Sequence, residues 1–570
     1  MPKFISVVVA CFTSGSFGQT TDFNSYRSNE PIRVSQSLPG ICAPNELNLR
    51  SAYRKISKCR TADTGVQGVL AANSPPSGRP CTSTFEQPWQ MTGAGVAQHI
   101  YESAGSPCLP TLQGMARGIA YNFAYGAEQA GSHSDNNPKP GTAREPIFYV
   151  SGQNGNDAWS GLLPAPNAAG ADGPFRTLSA VQAAMRASST VKTVAIRSGT
   201  YSIAPALSLS RADSGEVWMS YPGETATLDG GGTGGIDLAG VSNAKLLGLA
   251  LQNLGRKGVN IFGGSSAITI RWNAFANCTW ACISGAGVTN TTVDSNVINN
   301  QIDTTGAALM FWSGRTLAAS QNRISHNTIE NCRGGGINFA AGANDLPNNN
   351  NVVDRNILRN ITTEVTDHGA IYMMDRTHRA VGNEITNNLI DGNGGTRYRS
   401  NWTKAIYLDD LISNVMVSGN VCRKCGQYAL QIHGGDHNTI VNNVFDISTD
   451  GTLLGLYQNA NGWPDFGMAA NIIERNIVYC ASRAPASLWK LDVLSTDALP
   501  TIAGNLYYTP GSVGRIAAKG RLIDANPFYA DPGFRDPSSV DYSMPVSSPA
   551  YSVIRFQPLV TDRGPLEYTP

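Results

Sequence analysis

Charge is what this chain has little of. Asp, Glu, Lys and Arg make up 15% of its 570 residues, against about a quarter in ordinary globular domains. The 42 basic and 41 acidic residues leave a formal net charge of +1. The basic excess of a nucleic-acid binder is therefore missing, and no nucleic-acid partner is expected. No apolar run reaches the roughly eighteen residues of a spanning helix, so no membrane span is expected. Hydrophobic residues still reach 41%, too many for a disordered polymer. Sixty glycines and 31 prolines demand many turns. The composition reads as a turn-rich, mainly β chain.

The N-terminus, MPKFISVVVACFTSGSFG (1–18), has one lysine, an apolar run Phe4–Phe12 and then small residues. It reads as a candidate signal peptide cleaved after Gly18, with a buried strand as the other reading. Cleavage would remove Cys11 and turn eleven cysteines into an even ten. Cys42, Cys59, Cys81 and Cys108 are enough for two disulfides of undetermined pairing. Cys422 and Cys425 have CxxC spacing, but no second CxxC stands at zinc-site distance. Ordinary turn cysteines are the simpler reading, and no metal or other cofactor is expected.

Between Asn243 and Asn476, 34 of 234 residues are asparagine, in a recurring apolar-x-x-Asn-x-apolar pattern. It runs through AITIRWNAF, TTVDSNVI, RISHNTI, VVDRNIL, EITNNLI, VMVSGNVC, TIVNNVF and NIIERNIV. The repeated asparagines are Asn273, Asn296, Asn327, Asn356, Asn388, Asn420, Asn443 and Asn476, spaced 23, 31, 29, 32, 32, 23 and 33 apart. A minimum near 23 with longer irregular steps describes a constant coil with loops of varying length. Each repeat is too short to bury a core alone, whereas stacked coils pair their strands about 4.8 Å apart around a continuous apolar interior. Asparagine suits the bends because it tolerates left-handed backbone, and stacked amides can bond along the ladder. Leucine-rich repeats and propellers would show other periods. The expectation is an all-β parallel β-helix.

Residues 147–202 contain IFYVSGQNGNDAWSGLLPAPN, ADGPFRTLSAVQAAMRA and VKTVAIRSGTY, and the chain closes with NPFYADPGFRDPSSVDYSMPVSSPAYSVIRFQPL. These segments resemble the opening and closing parts of bacterial right-handed parallel β-helix proteins of the pectate-lyase-like superfold. The resemblance covers about 147–567 and implies carbohydrate-active proteins, among them hydrolases, lyases, epimerases and phage tailspikes. Phe175, Leu178, Val181, Ala184 and Met185 share one helical face, as a capping helix needs. No carboxylate cluster like the calcium site of pectate lyases is visible. The expected organisation is a signal segment 1–18, a small mixed module 19–145, a linker 131–146 and a β-helix domain 147–570. Within the module, NELNLRSAYRKISKC and TGAGVAQHIYESAG read as short helices.

A second set of strands carries the candidate chemistry: AALMFWSG (307–314), GGINFAAG (335–342), GAIYMMDR (369–376), KAIYLDDL (404–411) and YALQIHGG (428–435). Alternation sends Leu309, Ile337, Ile371, Ile406 and Leu430 inward, followed by Phe311, Phe339, Met373, Leu408 and Ile432. One outward column is then Met310, Asn338, Tyr372, Tyr407 and Gln431, and the next is Trp312, Ala340, Met374, Asp409 and His433. Aromatic faces suit sugar C–H surfaces, and the polar groups match hydroxyls. Asp375, Asp409 and Asp410 end these strands beside Arg376, with Asp375 and Asp410 at equivalent places of adjacent coils. Clustered carboxylates raise at least one pKa, as a general acid requires. Glycoside hydrolysis uses one carboxyl to protonate the leaving oxygen and another to attack or activate water. The candidate catalytic residues are Asp375, Asp409, Asp410 and His433, and the candidate substrate-binding residues are Trp312, Asn338, Asp367, His368, Tyr372, Arg376, Tyr407 and Gln431. The plain alternatives are turn-capping aspartates, an aromatic ladder that only stabilises coil pairing, and a turn histidine at His433.

The leading expectation is a secreted or periplasmic polysaccharide-cleaving enzyme, a glycoside hydrolase acting as a monomer on a glycan. A lyase would instead recruit Arg376, Tyr372, Tyr407 and His433. A phage tailspike, trimeric and on the virion tail, would use residues 1–145 for attachment. A carbohydrate-binding helix without catalysis is the remaining alternative.

Overall fold

The computed structural model describes residues 31–33, 46–48 and 146–567, apart from 378, 395–401, 449–451, 458–467, 469, 482–488, 493–498, 510–516 and 519–520. The chain divides into two compact units, 1–136 and 137–570. In the first, Pro31–Arg33 pairs antiparallel with Glu46–Asn48. A strand thus occupies the start of a segment whose sequence reads as a helix, and backbone pairing has overridden that local preference. The signal segment, the four N-terminal cysteines, the second expected helix and nearly all of the linker lie outside the described residues.

The second unit is the expected parallel β-helix. Its short strands join three long parallel sheets of 13, 13 and 11 strands, each strand bonded to its counterparts one coil away. The inward residues stack in register, Leu309 with Ile337, Ile371, Ile406 and Leu430, and all are sealed from water. Phe311 and Phe339 stack face to face at 5.2 Å inside the tube. The strands alternate correctly because a one-residue slip would turn every one of these side chains outward.

All eight repeated asparagines are buried and form one unbroken amide ladder. The Oδ1 of Asn327 accepts from the backbone N–H and Nδ2 of Asn296, both at 2.9 Å. Asn327 in turn donates from both groups to Oδ1 of Asn356. Left-handed backbone is not their role, contrary to the expectation. The residue before each takes it: Trp272, Ser295, His326, Arg355, Asn387, Gly419, Asn442 and Arg475 all have positive φ. At a second corner Asn253, Asn277, Asn300, Asn331 and Asn360 are themselves left-handed, and their amides bond along a more exposed ladder. Asparagine therefore does two different jobs at two corners.

The N-terminal mouth and the outer face of the second sheet are covered by the segments that flank the coils. Helix α1 (Leu178–Ala187) is capped by Thr177 and buries Leu178, Val181 and Met185 over the mouth of the tube, while Phe175, expected on the same face, is buried just ahead of it. The C-terminal segment runs back over the second sheet, where Tyr542, Ala550, Ile554 and Phe556 cover Leu389, Val421, Val444, Ile477 and Leu506. Its last described residues reach earlier coils through Arg563 to Asn387 O and Leu566 N–H to Ser295 Oγ. Cys422 and Cys425 are free thiols buried in the core. Cys278 and Cys282 form a disulfide, which the sequence reading had not singled out.

Candidate active site

Five neighbouring strands of the third sheet build the site: β1 (Ala307–Trp312), β2 (Gly335–Ala341), β3 (His368–Asp375), β4 (Thr403–Asp409) and β5 (Tyr428–His433). Their register matches the expected columns. Asn338 pairs with Tyr372, Tyr372 with Tyr407, and Tyr407 with Gln431. Trp312 pairs with Ala340, Ala340 with Met374, and Met374 with Asp409.

Asp409 is the hub. Its Oδ2 accepts from the Tyr372 hydroxyl at 2.7 Å, and its Oδ1 lies 2.7 Å from Nδ1 of His433. Burial opposes its ionisation, but the His433 bond and charge and the hydroxyls of Tyr372 and Tyr407 outweigh it, so this carboxyl sits below its ordinary pKa. The same pairing raises His433: burial alone would lower it, and the Asp409 carboxylate more than compensates. Asp410 follows in the left-handed region (φ 43°), which turns its side chain to Arg376. There Oδ2 accepts from Nε at 2.7 Å and from Nη2 at 2.5 Å. Burial and then the neighbouring Asp409 charge push the Asp410 carboxyl up, with Arg376 offsetting only part. Two adjacent carboxyls are thus driven apart, one held ionised and the other towards its acid form.

Asp375 does not join them. It occupies the place equivalent to Asp410 on the preceding coil, but its side chain is fully buried and accepts from the backbone N–H of Asn348 and of Thr377. It caps a turn. The difference lies in the backbone, because Asp375 ends a strand in extended conformation and points inward, whereas Asp410 begins a left-handed turn.

The remaining candidates form a polar floor. Tyr407 meets Tyr372 edge-to-face at 5.3 Å and is only 2% exposed, and Asn338 and Gln431 are likewise buried. They face outward, as expected, but are not the half-exposed platform the sequence implied, since stacked neighbours cover one another. Asn338 Nδ2 lies 3.2 Å from Nε2 of His368, and the His368 ring packs 5.1 Å from Tyr372. Asp367 accepts from Lys404 Nζ at 2.6 Å. Lys404 escaped the sequence reading. Its side chain is 1% exposed, its ammonium sits 4.0 Å over the Tyr407 ring, and burial lowers its pKa despite Asp367. A lone charged residue at the start of an apolar strand was the available signal. Tyr457, also missed, meets His433 edge-to-face at 6.3 Å. Trp312 stands apart, three strands from Asp409, against Trp280.

Asp409, Asp410 and His433 each offer one ligand atom within 4.8 Å of the others, a spacing a divalent cation could use. Arg376 already brings a positive charge to Asp410, which such an ion would have to displace.

The family profile for the right-handed β-helix region matches residues 224–395. No match was found among curated proteins. Among solved structures, the chain is similar to the PL6 family alginate lyase AlyGC, at 12% identity and TM-score 0.43, over 69% of this chain and 58% of that one. It is also similar to the catalytic domain of a GH87 α-1,3-glucanase in complex with nigerose, at 13% identity and TM-score 0.43, over 69% of each chain. A mannuronic-acid-specific family 6 lyase from human gut microbiota aligns at 13% identity and TM-score 0.40, over 60% of this chain and 86% of that one. At these identities the likeness concerns the fold.

Proposed function

We propose that this right-handed parallel β-helix cleaves a polysaccharide by glycoside hydrolysis on the outer face of its third sheet. The observation that carries the reading is that two adjacent carboxyls have different partners, Asp409 the Tyr372 hydroxyl and His433, Asp410 the Arg376 guanidinium. This asymmetry drives their pKa values apart, as acid and base roles require. Asp410, pushed towards its protonated form, donates a proton to the leaving oxygen. Asp409, held ionised by His433 and Tyr372, stabilises positive charge at the anomeric carbon and attacks it or activates water. Arg376 orients Asp410 and takes up its charge once the proton has left. The disulfide Cys278–Cys282 supports an exported protein, because cytosolic thiols stay reduced.

One observation favours a second reading, a lyase: the buried Lys404 amine, over the Tyr407 ring and with a lowered pKa, could serve as a base. Incubation with neutral and acidic polysaccharides separates the two readings. Hydrolysis releases reducing ends without ultraviolet absorbance, while elimination raises both. Asp410→Asn and Asp409→Asn are expected to lose at least about a hundredfold in rate, the usual worth of general acid–base catalysis, and Asp375→Asn to keep it. Full activity in both of the first two variants would remove the assignment.

A further inference from the structure

Two aromatic–cation pairs lie on the third sheet, one on each side of the carboxyls, and a third sits in the turns that lead into it. Trp312 has Lys257 Nζ 5.0 Å above its ring, and Trp280 has the Arg256 guanidinium at 5.3 Å. The two tryptophans meet edge-to-face at 6.1 Å, and the turn that carries Trp280 is closed by the Cys278–Cys282 disulfide. On the other side Tyr457 has Lys490 Nζ at 5.4 Å.

Register places Trp312 and Tyr457 on the site's own axis. Trp312 and Asp409 share one outward column through Ala340 and Met374. Tyr457 pairs with His433, the next member of that column. Trp312 is three strands before Asp409 and Tyr457 two strands after it, about 14 Å and about 10 Å at strand spacing.

The cations differ from those elsewhere on the protein. Arg197 over Tyr221 is neutralised by Glu224, and Arg271 over Trp272 by Asp294. Among the described residues, Lys257 and Lys490 have no ion-pair partner, while Arg256 acts on the Asp303 carboxyl through space. An unneutralised cation resting on an aromatic ring offers one sugar unit both a stacking face and a counter-ion.

We propose that this row is an extended track for an anionic polysaccharide, one whose units carry carboxylate or sulfate. The chain crosses the carboxyl pair with several units bound on each side. This rests on the hydrolytic reading for what happens at Asp409 and Asp410, and it adds substrate class and internal cleavage.

The test is calorimetric binding of full-length Asp410→Asn protein to polygalacturonate, alginate, hyaluronan and heparin, with dextran and laminarin as neutral controls. At least one anionic polymer binds, neutral polymers bind at least tenfold more weakly, and raising sodium chloride from about 20 mM to about 300 mM weakens binding at least tenfold, since charge pairs at a surface are screened. Lys257→Gln and Lys490→Gln, placed in the same protein, each weaken binding about threefold or more, and Trp312→Ala about tenfold. Lys257→Gln keeps the fold testable if the tryptophan variant is unstable. Equal or tighter binding of neutral polymers, no anionic binding, or unchanged affinity in both lysine variants would each overturn the track. Binding by Asp410→Asn without any cleavage by the wild-type protein would leave the track standing and remove the hydrolase. Cleavage of neutral chains only would do the reverse.

Discussion

Replacing Asn327 by leucine tests whether the buried amide ladder or the apolar interior holds the coils in register. The two side chains share branching and heavy-atom count, and leucine's bulkier methyls add overpacking to the loss of polarity, so the cost of the lost hydrogen bonds is a lower bound on the destabilisation. Asn327 is fully buried. Its Nδ2 donates to Val293 O, Ser325 O and Asn356 Oδ1, and its Oδ1 accepts from Asn296 N and Asn296 Nδ2. Leucine strands the backbone N–H of Asn296, which costs about 1–3 kcal/mol as an orphaned buried donor. Val293 O and the Asn296 amide each lose one partner at about 1 kcal/mol, while Ser325 O keeps the N–H of Ser295. The sum is about 3–5 kcal/mol. At about 2.1 cal/mol/K per residue, a cooperative unit of some 400 residues melts with an entropy near 0.8 kcal/mol/K, so Tm falls by about 4–6 °C. The control is Asn331→Gly on the exposed ladder, where water replaces the lost bonds and glycine accepts the positive φ of 58°; Tm there moves by about 1 °C or less. Scanning calorimetry of both variants decides the matter. Equal shifts, or a loss below about 1 kcal/mol for Asn327→Leu, would refute the ladder as a stabilising element.

Glu216 supplies a pH test away from the site. Its carboxylate accepts from Trp218 Nε1 at 3.0 Å while Oε1 lacks a partner, and burial followed by the Asp213 charge raises its pKa to about 7. A carboxyl raised on folding destabilises the protein once ionised, so stability falls as pH climbs from about 4.5 to about 7, by at most about 3 kcal/mol. Glu216→Gln should therefore gain about 1–3 kcal/mol at pH 8 and little at pH 4 in denaturant unfolding; an unchanged pH slope would count against the assignment. Within the proposed site, Tyr372→Phe deletes the hydroxyl that donates to Asp409. A hydrogen bond to a charged group contributes about 1.5–3 kcal/mol, or about 1–2 pKa units, so the acidic limb of the kcat/KM profile should move up by that amount, and a limb that stays put would remove Asp409 as its source.

What the sequence determined by itself is the solenoid and its register. Strand alternation has a period of two, and each coil must repeat it, so the columns from Leu309 to Leu430 and from Trp312 to His433 could be read by aligning short apolar strings. The buried asparagines were legible for the same reason, since a ladder needs its member in every coil. The chemistry of single side chains was not legible in this way. Asp375 and Asp410 hold equivalent places and the same functional group, yet one is spent on backbone amides and the other meets Arg376, because one residue's φ differs. Lys404 reaches Asp367 across a coil boundary whose loop lengths vary, and its ammonium folds over Tyr407 of its own strand. The pairing of Trp280 with Trp312, and the Cys278–Cys282 bridge beneath it, depends on how one turn packs on the next. Periodicity propagates along a chain and can be read from it, whereas turn dihedrals and contacts between unequal loops exist only once the coils are stacked.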